Sequence, residues 1–286
     1  MPQAAAPSAF PSWLVPDWPA PAQVRALCTT REGGVSTGPY GQLNLGDHVG
    51  DAPAAVAANR AVLGQALAAA TPGARPVFLQ QVHGTQVLAL EGDTPDGAQA
   101  DACVATAPGL VCTIMVADCL PVLLAHRSAR VVGGAHAGWR GLAGVQGQGV
   151  LETVFERFCL NVLAQQEPLA INLEAKRAVA ADTMAWLGPC IGPQAFEVGG
   201  EVREAFCRGD ALASASFQPQ AGGKFLADLA GLARRRLQAL GITQLYGNDS
   251  SAPWCTVGNP SRFFSHRRDT AALGGSGRFA ACIWLD

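Results

Sequence analysis

The stretch from Leu110 to Leu142 constrains the fold more than any other. It reads LVCTIMVADCLPVLLAH and then RSARVVGGAHAGWRGL. Two apolar runs each end in a residue able to bind a soft or borderline metal: Cys119 beside Asp118, and His136 within a glycine-rich turn. Apolar strands that end this way hold the terminal polar residue at the edge of a core. Asp118 and Pro121 break the run over 110–125, which is too short to span a bilayer.

The 286 residues are enough to bury a proper core. A net charge of -2 gives no broad cationic face, which argues against general nucleic-acid binding. Lysine occurs only as Lys176 and Lys224, so the positive charge is almost all arginine, which suits planar anions such as phosphate. Nine cysteines without a CxxC pair argue against a secreted disulfide scaffold. No basic stretch followed by an apolar one opens the chain. The expectation is a soluble, cytoplasmic protein with no membrane partner. The oligomeric state stays open.

Residues 1–22 carry six prolines and read as an irregular arm, leaving 23–286 as one catalytic domain. Strands are predicted over 24–30, 78–82, 87–90, 102–106, 110–117, 183–187, 243–246 and 278–285. The segments 122–126 and 130–133 read as a hairpin. Helices are predicted from an Asp51 N-cap and Pro53 to about Ala69, and over 142–159, 199–208 and 226–240. Gly241 follows the last of these as its stop. Glycine density makes residues 31–50 a long loop. Strands and helices do not alternate strictly, so the fold class is α+β: a single domain of mixed sheets flanked by helices.

Several motifs fail in context. Gly34 to Gly38 matches G-x-S-x-G, but no helix follows it. The glycines at 275 and 277 precede a strand instead of opening a helix. No HExxH occurs, nor the H-x-E of the zinc deaminases. Three ligand-type residues remain: His83 in QVHG, Cys119 in ADC and His136 in GAHAG. Two imidazoles and a thiolate make a three-ligand zinc set with a fourth position open to water or substrate. The same residues also fit a metal-free site in which His136 activates Cys119 as nucleophile.

The segments TTREGGVSTGPYGQLNLGDHVGD (29–51), NR (59–60), QVHG, ADC, GAHAGWRG, GPCIGPQAFEV (188–198) and FFSHRRD (263–269) occur together in one order. In this the chain resembles the YfiH/laccase-domain family, known also as polyphenol oxidase, peptidoglycan editing factor and purine nucleoside phosphorylase. The resemblance covers about 24–286. It implies a domain related to cytotoxic-factor-type cysteine hydrolases, with zinc held by His83, Cys119 and His136. It implies phosphorolysis of adenosine, inosine and methylthioadenosine, and deamination of adenosine, so the expected partners are purine nucleosides and phosphate. Five histidines fit one metal with imidazole and thiolate ligands better than a multicopper cluster, which places copper oxidation below zinc chemistry. A cysteine hydrolase acting on cell-wall precursors is the other alternative.

On this reading Arg31, Asn44 and Arg268 are candidates for phosphate or ribose contact. Gln81 shares a strand face with His83 and is a candidate substrate contact. Asp118 is the candidate proton shuttle, although on an extended strand its side chain would point away from that of Cys119 unless a bulge intervenes. Trp139 suits either a base-stacking platform or the core.

Overall fold

The computed structural model of the chain describes residues 12–165 and 172–286. In chain order the first half holds β1 (Val24–Cys28), α1 (Pro53–Ala70), β2 (Arg75–Phe78), β3 (Val87–Ala89), β4 (Ala102–Ala105), β5 (Leu110–Val116), β6 (Leu120–His126) and β7 (Val132–Ala137). Next come α2 (Trp139–Ala143), α3 (Val150–Ala164), α4 (Leu173–Ala181), β8 (Thr183–Leu187), β9 (Glu197–Val198) and α5 (Gly200–Cys207). The chain continues through β10 (Phe217–Pro219), β11 (Phe225–Ala227), α6 (Leu229–Ala239), β12 (Gln244–Gly247), α7 (His266–Leu273) and β13 (Phe279–Leu285).

The strands form a four-stranded sheet, β1-β13-β5-β2, and a six-stranded sheet, β12-β8-β6-β7-β4-β3, with a small third sheet, β10-β11-β9. Both large sheets are mixed. β2 runs parallel to β5, β3 to β4 and β8 to β12, while the other pairs are antiparallel. The period-two alternation of strands sorts their side chains into layers. Cys112, Ile114 and Val116 of β5 and Phe279, Ala281 and Ile283 of β13 face Leu123 and Ala125 of β6 and Val132 of β7 in a shared core. The opposite faces of β5 and β13, through Val111, Met115, Ala280, Cys282 and Trp284, meet Leu63 and Leu67 of α1. Leu120, Val122 and Leu124 of β6 meet α3 and α6. The result is helix, sheet, sheet, helix. Strands with both faces covered are near-continuous apolar runs, as β5 and β6 are apart from Thr113 and the terminal His126. The two sheets approach closely at β7, where a Cβ on Gly134 would lie 2.9 Å from Ile114 Cγ1.

The mixed-sheet, single-domain architecture agrees with the sequence expectation; several boundaries differ for local reasons. The helix expected over 142–159 is two helices, α2 and α3. Between them Gly144, Gln146 and Gly147 all have positive φ. A Cβ on Gly144 would sit 2.0 Å from the Gln148 carbonyl oxygen, so the break is built in. The helix expected from 226 begins at Leu229, because Phe225–Ala227 pair as β11 and the Asp228 carboxylate caps the helix at Gly231 N, 2.8 Å away. It does stop at Gly241, with φ +90. Residues 266–269, where no helix is predicted from sequence, form the start of α7. There the Ser265 hydroxyl accepts from Arg268 N at 3.1 Å and the Asp269 carboxylate accepts from Ser265 N at 2.9 Å. Asp51 is not the N-cap of α1. Ala52 holds that position, and Asp51 accepts from Ser36 and Asn44 instead.

Of the proline-rich arm, residues 1–11 lie outside the described residues. Residues 12–22 run irregularly along the four-stranded sheet, where Leu14 and Cys28 exchange two backbone hydrogen bonds and Trp18 is buried. Leu123 is fully buried between the sheets. Leu123→Ala is therefore expected to lower unfolding free energy by about 2–5 kcal/mol in denaturant titrations. Val15→Ala, at a half-exposed position, should change it by less than about 0.5 kcal/mol.

Candidate metal centre and its pocket

β5 and β6 belong to different sheets, and residues 117–119 carry the chain from one to the other. Asp118 has φ +86, so the backbone turns there and the strand alternation lapses. The Asp118 carboxylate accepts from the Thr256 hydroxyl (2.5 Å), the Ser265 hydroxyl (3.1 Å) and Arg267 N (2.6 Å). It thereby ties the start of α7 to the crossing, while Cys119 is left facing the β7 side. His83 lies on a second crossing, between β2 and β3, and also has positive φ, +62. His136 sits on β7 opposite Pro121 of β6, two residues beyond Cys119.

One buried carboxylate organises the three. Asp101 accepts from the backbone N–H groups of Val82 (3.2 Å), His83 (2.8 Å) and Gly84 (2.7 Å). Its Oδ1 also lies 2.9 Å from His136 Nδ1. Nδ1 is thus engaged, and Nε2 faces Cys119 and His83. Cys119 Sγ is 3.6 Å from His83 Nε2, and the two imidazoles meet edge to face with centroids 4.7 Å apart. All three donor atoms lie within 4.8 Å of one another. Bonds of about 2.0 Å to nitrogen and 2.3 Å to sulfur put tetrahedral ligand atoms roughly 3.3–3.8 Å apart, so the set fits one ion after slight closure. A histidine whose far nitrogen meets a carboxylate is the usual outer support of such a ligand. A Cβ on Gly138 would lie 2.8 Å from His83 Cδ2 and 2.9 Å from Cys119 Sγ, so only glycine fits beneath the centre.

The electrostatics agree with a thiolate ligand. Burial pushes the Cys119 thiol up, but the His136 charge and hydrogen bonds from His136 and His83 outweigh it and bring the pKa to about 6. Burial pushes His136 down, yet Cys119 and Asp101 together lift it to about 9. Burial raises Asp101, and its bonds to His136, Gly84 and His83 reverse this and leave it below the ordinary carboxylate value.

The centre opens into a cavity of about 310 Å³. Met115, Trp139, Ile191, Phe196 and Leu229 supply an apolar wall. His48, Gln81, Asp118, His266, Arg267 and Arg278 supply polar groups. The structure brings His83, Cys119 and His136 together and places Asp118, Gln81 and Trp139 beside them. The Gln81 amide is engaged at both ends by Met115 of β5, through Nε2 to O (2.7 Å) and N to Oε1 (2.9 Å). Arg31, Asn44 and Arg268 do not line the cavity. Arg31 donates to the Gly41 and Pro260 carbonyls. Arg268 donates to the Thr256, Val257 and Phe263 carbonyls and to Asp269. Asn44 is fully buried and joins Gly46, Asp51 and Arg278.

Asp101, His266 and Arg278 were not among the residues singled out from sequence. Asp101 stands in a segment that reads as a polar turn. Its partnership with His136 follows from the β4–β7 register, Ala102 opposite Ala135, which sequence does not reveal.

Fold and site define a mixed α/β protein with a His–Cys–His group able to hold one metal ion where its two main sheets exchange strands. The chain belongs to the family described as multi-copper polyphenol oxidoreductase laccase, whose model matches residues 25–286. It is 45% identical over 275 residues to a Pseudomonas aeruginosa protein named purine nucleoside phosphorylase, covering 96% of this chain and 98% of that one. It is 46% identical over 272 residues to Escherichia coli purine nucleoside phosphorylase YfiH, covering 95% and 98%. The crystal structure of Neisseria meningitidis NMB0706 superposes with a TM-score of 0.78 at 43% identity, covering 96% of this chain and 99% of that one. YlmD from Geobacillus stearothermophilus gives 0.75 at 28% identity, covering 96% of each.

Asp101→Ala is expected to weaken metal binding roughly 10–100-fold in chelator competition, since it frees the His136 ring and three N–H groups of the His83 turn. In metal-free protein at pH 7, iodoacetamide should modify Cys119 before any other cysteine, as read by peptide mass mapping. Its thiol titrates near 6, whereas burial raises Cys28, Cys112, Cys190 and Cys282.

Proposed function

We propose that this protein is a zinc-dependent purine nucleoside phosphorylase acting on adenosine, inosine and methylthioadenosine, with adenosine deamination as a second activity. The names of its relatives support the first half of this reading. The observation that carries it here is the His83–Cys119–His136 group, oriented by Asp101, at one end of a cavity with both an aromatic wall and cationic side chains. The donor set of two imidazoles and one thiolate favours zinc. When bound, the ion supplies Lewis-acid polarisation of a substrate oxygen.

In phosphorolysis a phosphate oxygen forms a bond to C1′ of the ribose, the bond from C1′ to the purine breaks, and the departing base takes up a proton. The sugar carries positive charge as this happens, as in glycoside cleavage. Trp139 and Phe196 hold the purine against the apolar wall. The imidazoles of His48 and His266, both at the cavity, are the groups suited to pass the proton. Asp118 anchors the start of α7, a role in which three donors engage its carboxylate. Gln81 fixes the His83 crossing to β5 from within the cavity. Arg31 and Arg268 brace the loops around the site through backbone carbonyls, and Asn44 acts behind the cavity.

The catalytic unit in this reading is the single domain 23–286. No helix among the described residues is long and apolar enough to cross a membrane, and we place the reaction in the cytoplasm. The test is chromatographic: adenosine, inosine and methylthioadenosine are each incubated with phosphate and the zinc-loaded protein. Free purine base and ribose phosphate should form, and Cys119→Ala should reduce turnover to background. If no nucleoside is consumed with zinc present, the reading fails. If turnover survives a strong chelator but not Cys119→Ser, a metal-free cysteine enzyme replaces it.

A further inference from the structure

Six arginines stand in or around this cavity, and their partners separate them. Arg31 and Arg268 are committed to backbone carbonyls and Asp269. Arg140 lies over the Trp139 ring and does not line the cavity. Arg262 lies over the Phe263 ring and is likewise outside the lining. Arg267 lines the cavity, but its two terminal nitrogens reach the Ala195 and Glu197 carbonyls. Arg278 differs from all of these. Its Nη1 donates to the Ser276 (2.9 Å) and Gly277 (3.0 Å) carbonyls. Its Nε and Nη2 have no partner among the described residues. Those two N–H groups form one edge of the guanidinium, the edge that binds a carboxylate or phosphate through two parallel hydrogen bonds.

The position of Arg278 is built with care. It precedes β13, and the pairing of Phe279 with Val116 sets it opposite Ala117, two residues from Cys119. Its backbone is held on both sides: its N–H donates to Asn44 Oδ1 (2.8 Å), and its carbonyl accepts from Leu45 N (2.9 Å). A Cβ on Gly46 would lie 2.8 Å from Arg278 Cγ, so the loop leaves a slot for the arginine stem. The same loop carries His48 to the cavity, close enough for the Arg278 charge to bear on its titration. Asp118, the carboxylate whose charge bears on Arg278, is engaged by Thr256, Ser265 and Arg267 N, which offsets its repulsion of an incoming anion.

We infer that Arg278 is the anchor of an anion subsite beside the His–Cys–His group, with His48 at its edge and Asn44 as the residue that positions it, and that its occupant is inorganic phosphate. The choice of phosphate rests on the phosphorylase reading; the anion subsite itself rests on the free guanidinium edge. Arg278 then fixes the attacking oxygen near the sugar while the apolar wall holds the base. Asn44 touches no substrate and acts through Arg278.

The experiment titrates inorganic phosphate into the metal-loaded protein by calorimetry and, in parallel, measures the KM for phosphate and for inosine. Arg278→Gln should raise both the phosphate dissociation constant and the phosphate KM at least about tenfold, while the inosine KM changes less than about twofold. Arg278→Lys keeps the charge without the two-pronged edge and should fall between. It also serves if the glutamine variant fails to fold. Arg127→Gln, at an exposed arginine paired with Asp182, should match the wild type. Unchanged phosphate binding and KM in folded, metal-loaded Arg278 variants would overturn the subsite and leave the phosphorylase reading intact. Phosphate binding that depends on Arg278, without phosphorolysis in the wild type, would keep the subsite and sink that reading. Absence of phosphate binding by the wild type overturns the subsite.

Discussion

The Asp101 carboxylate is the tie on which the candidate centre depends. It is buried, carries a charge, and answers four donors at once: three backbone N–H groups of the His83 turn and the Nδ1 of His136. A buried carboxylate is costly unless fully hydrogen-bonded, so these contacts are mutually required. They join two elements far apart in sequence, and they set His136 with Nε2 toward Cys119. The site is thus an outcome of how the sheets connect. Two sheets packed face to face force the chain to cross between them, and two such crossings, at His83 and at Asp118–Cys119, meet at one edge.

A second layer stands behind the cavity. The glycine-rich loop of residues 31–50 is ordered by Asn44, Asp51 and Asn59, which bind one another and neighbouring backbone. Asn59 lies on α1, so the helix that covers the four-stranded sheet also braces the loop that holds Arg278. Arg268 and Arg31 do similar work at the far side by collecting carbonyls that no strand or helix satisfies. Arginine suits this role, since its planar fork can meet several oxygens without losing its charge. Scarcity of lysine in this chain therefore does not translate into an exposed basic surface.

Cys119 and His136 were legible as candidate ligands because each stands beside small residues at an apolar run, but it was the family resemblance that joined His83 to them, and the structure that brings the three donor atoms together. β5, β6 and β8 were legible as apolar runs, whereas β7 runs later than the expected 130–133 and takes in His136, expected in a turn. The helix break at Gly144–Gly149 was hidden because apolar residues continue on either side in helical spacing, while the deciding clash is with the Gln148 carbonyl. The start of α7 was hidden because FFSHRRD contains no apolar period, and its cap is a reciprocal pair seen only once Ser265 and Asp269 are folded together. Asp118 shows the reverse case. Strand alternation placed its side chain opposite that of Cys119, and a positive φ at the sheet crossing removed the alternation altogether.

Sequence by itself determined the candidate residue types, Cys and His beside small residues, and that the domain would be a mixed α+β one. These are local properties, governed by apolar periodicity and by the chemistry of imidazole and thiolate. The tertiary structure alone decided which carboxylate supports His136, which of the cavity-lining arginines keeps an unbonded guanidinium edge, and which arginines only hold loops. Those distinctions depend on strand register and on the fate of each backbone carbonyl. Both are set by pairing between distant segments, and no short stretch of the chain encodes them.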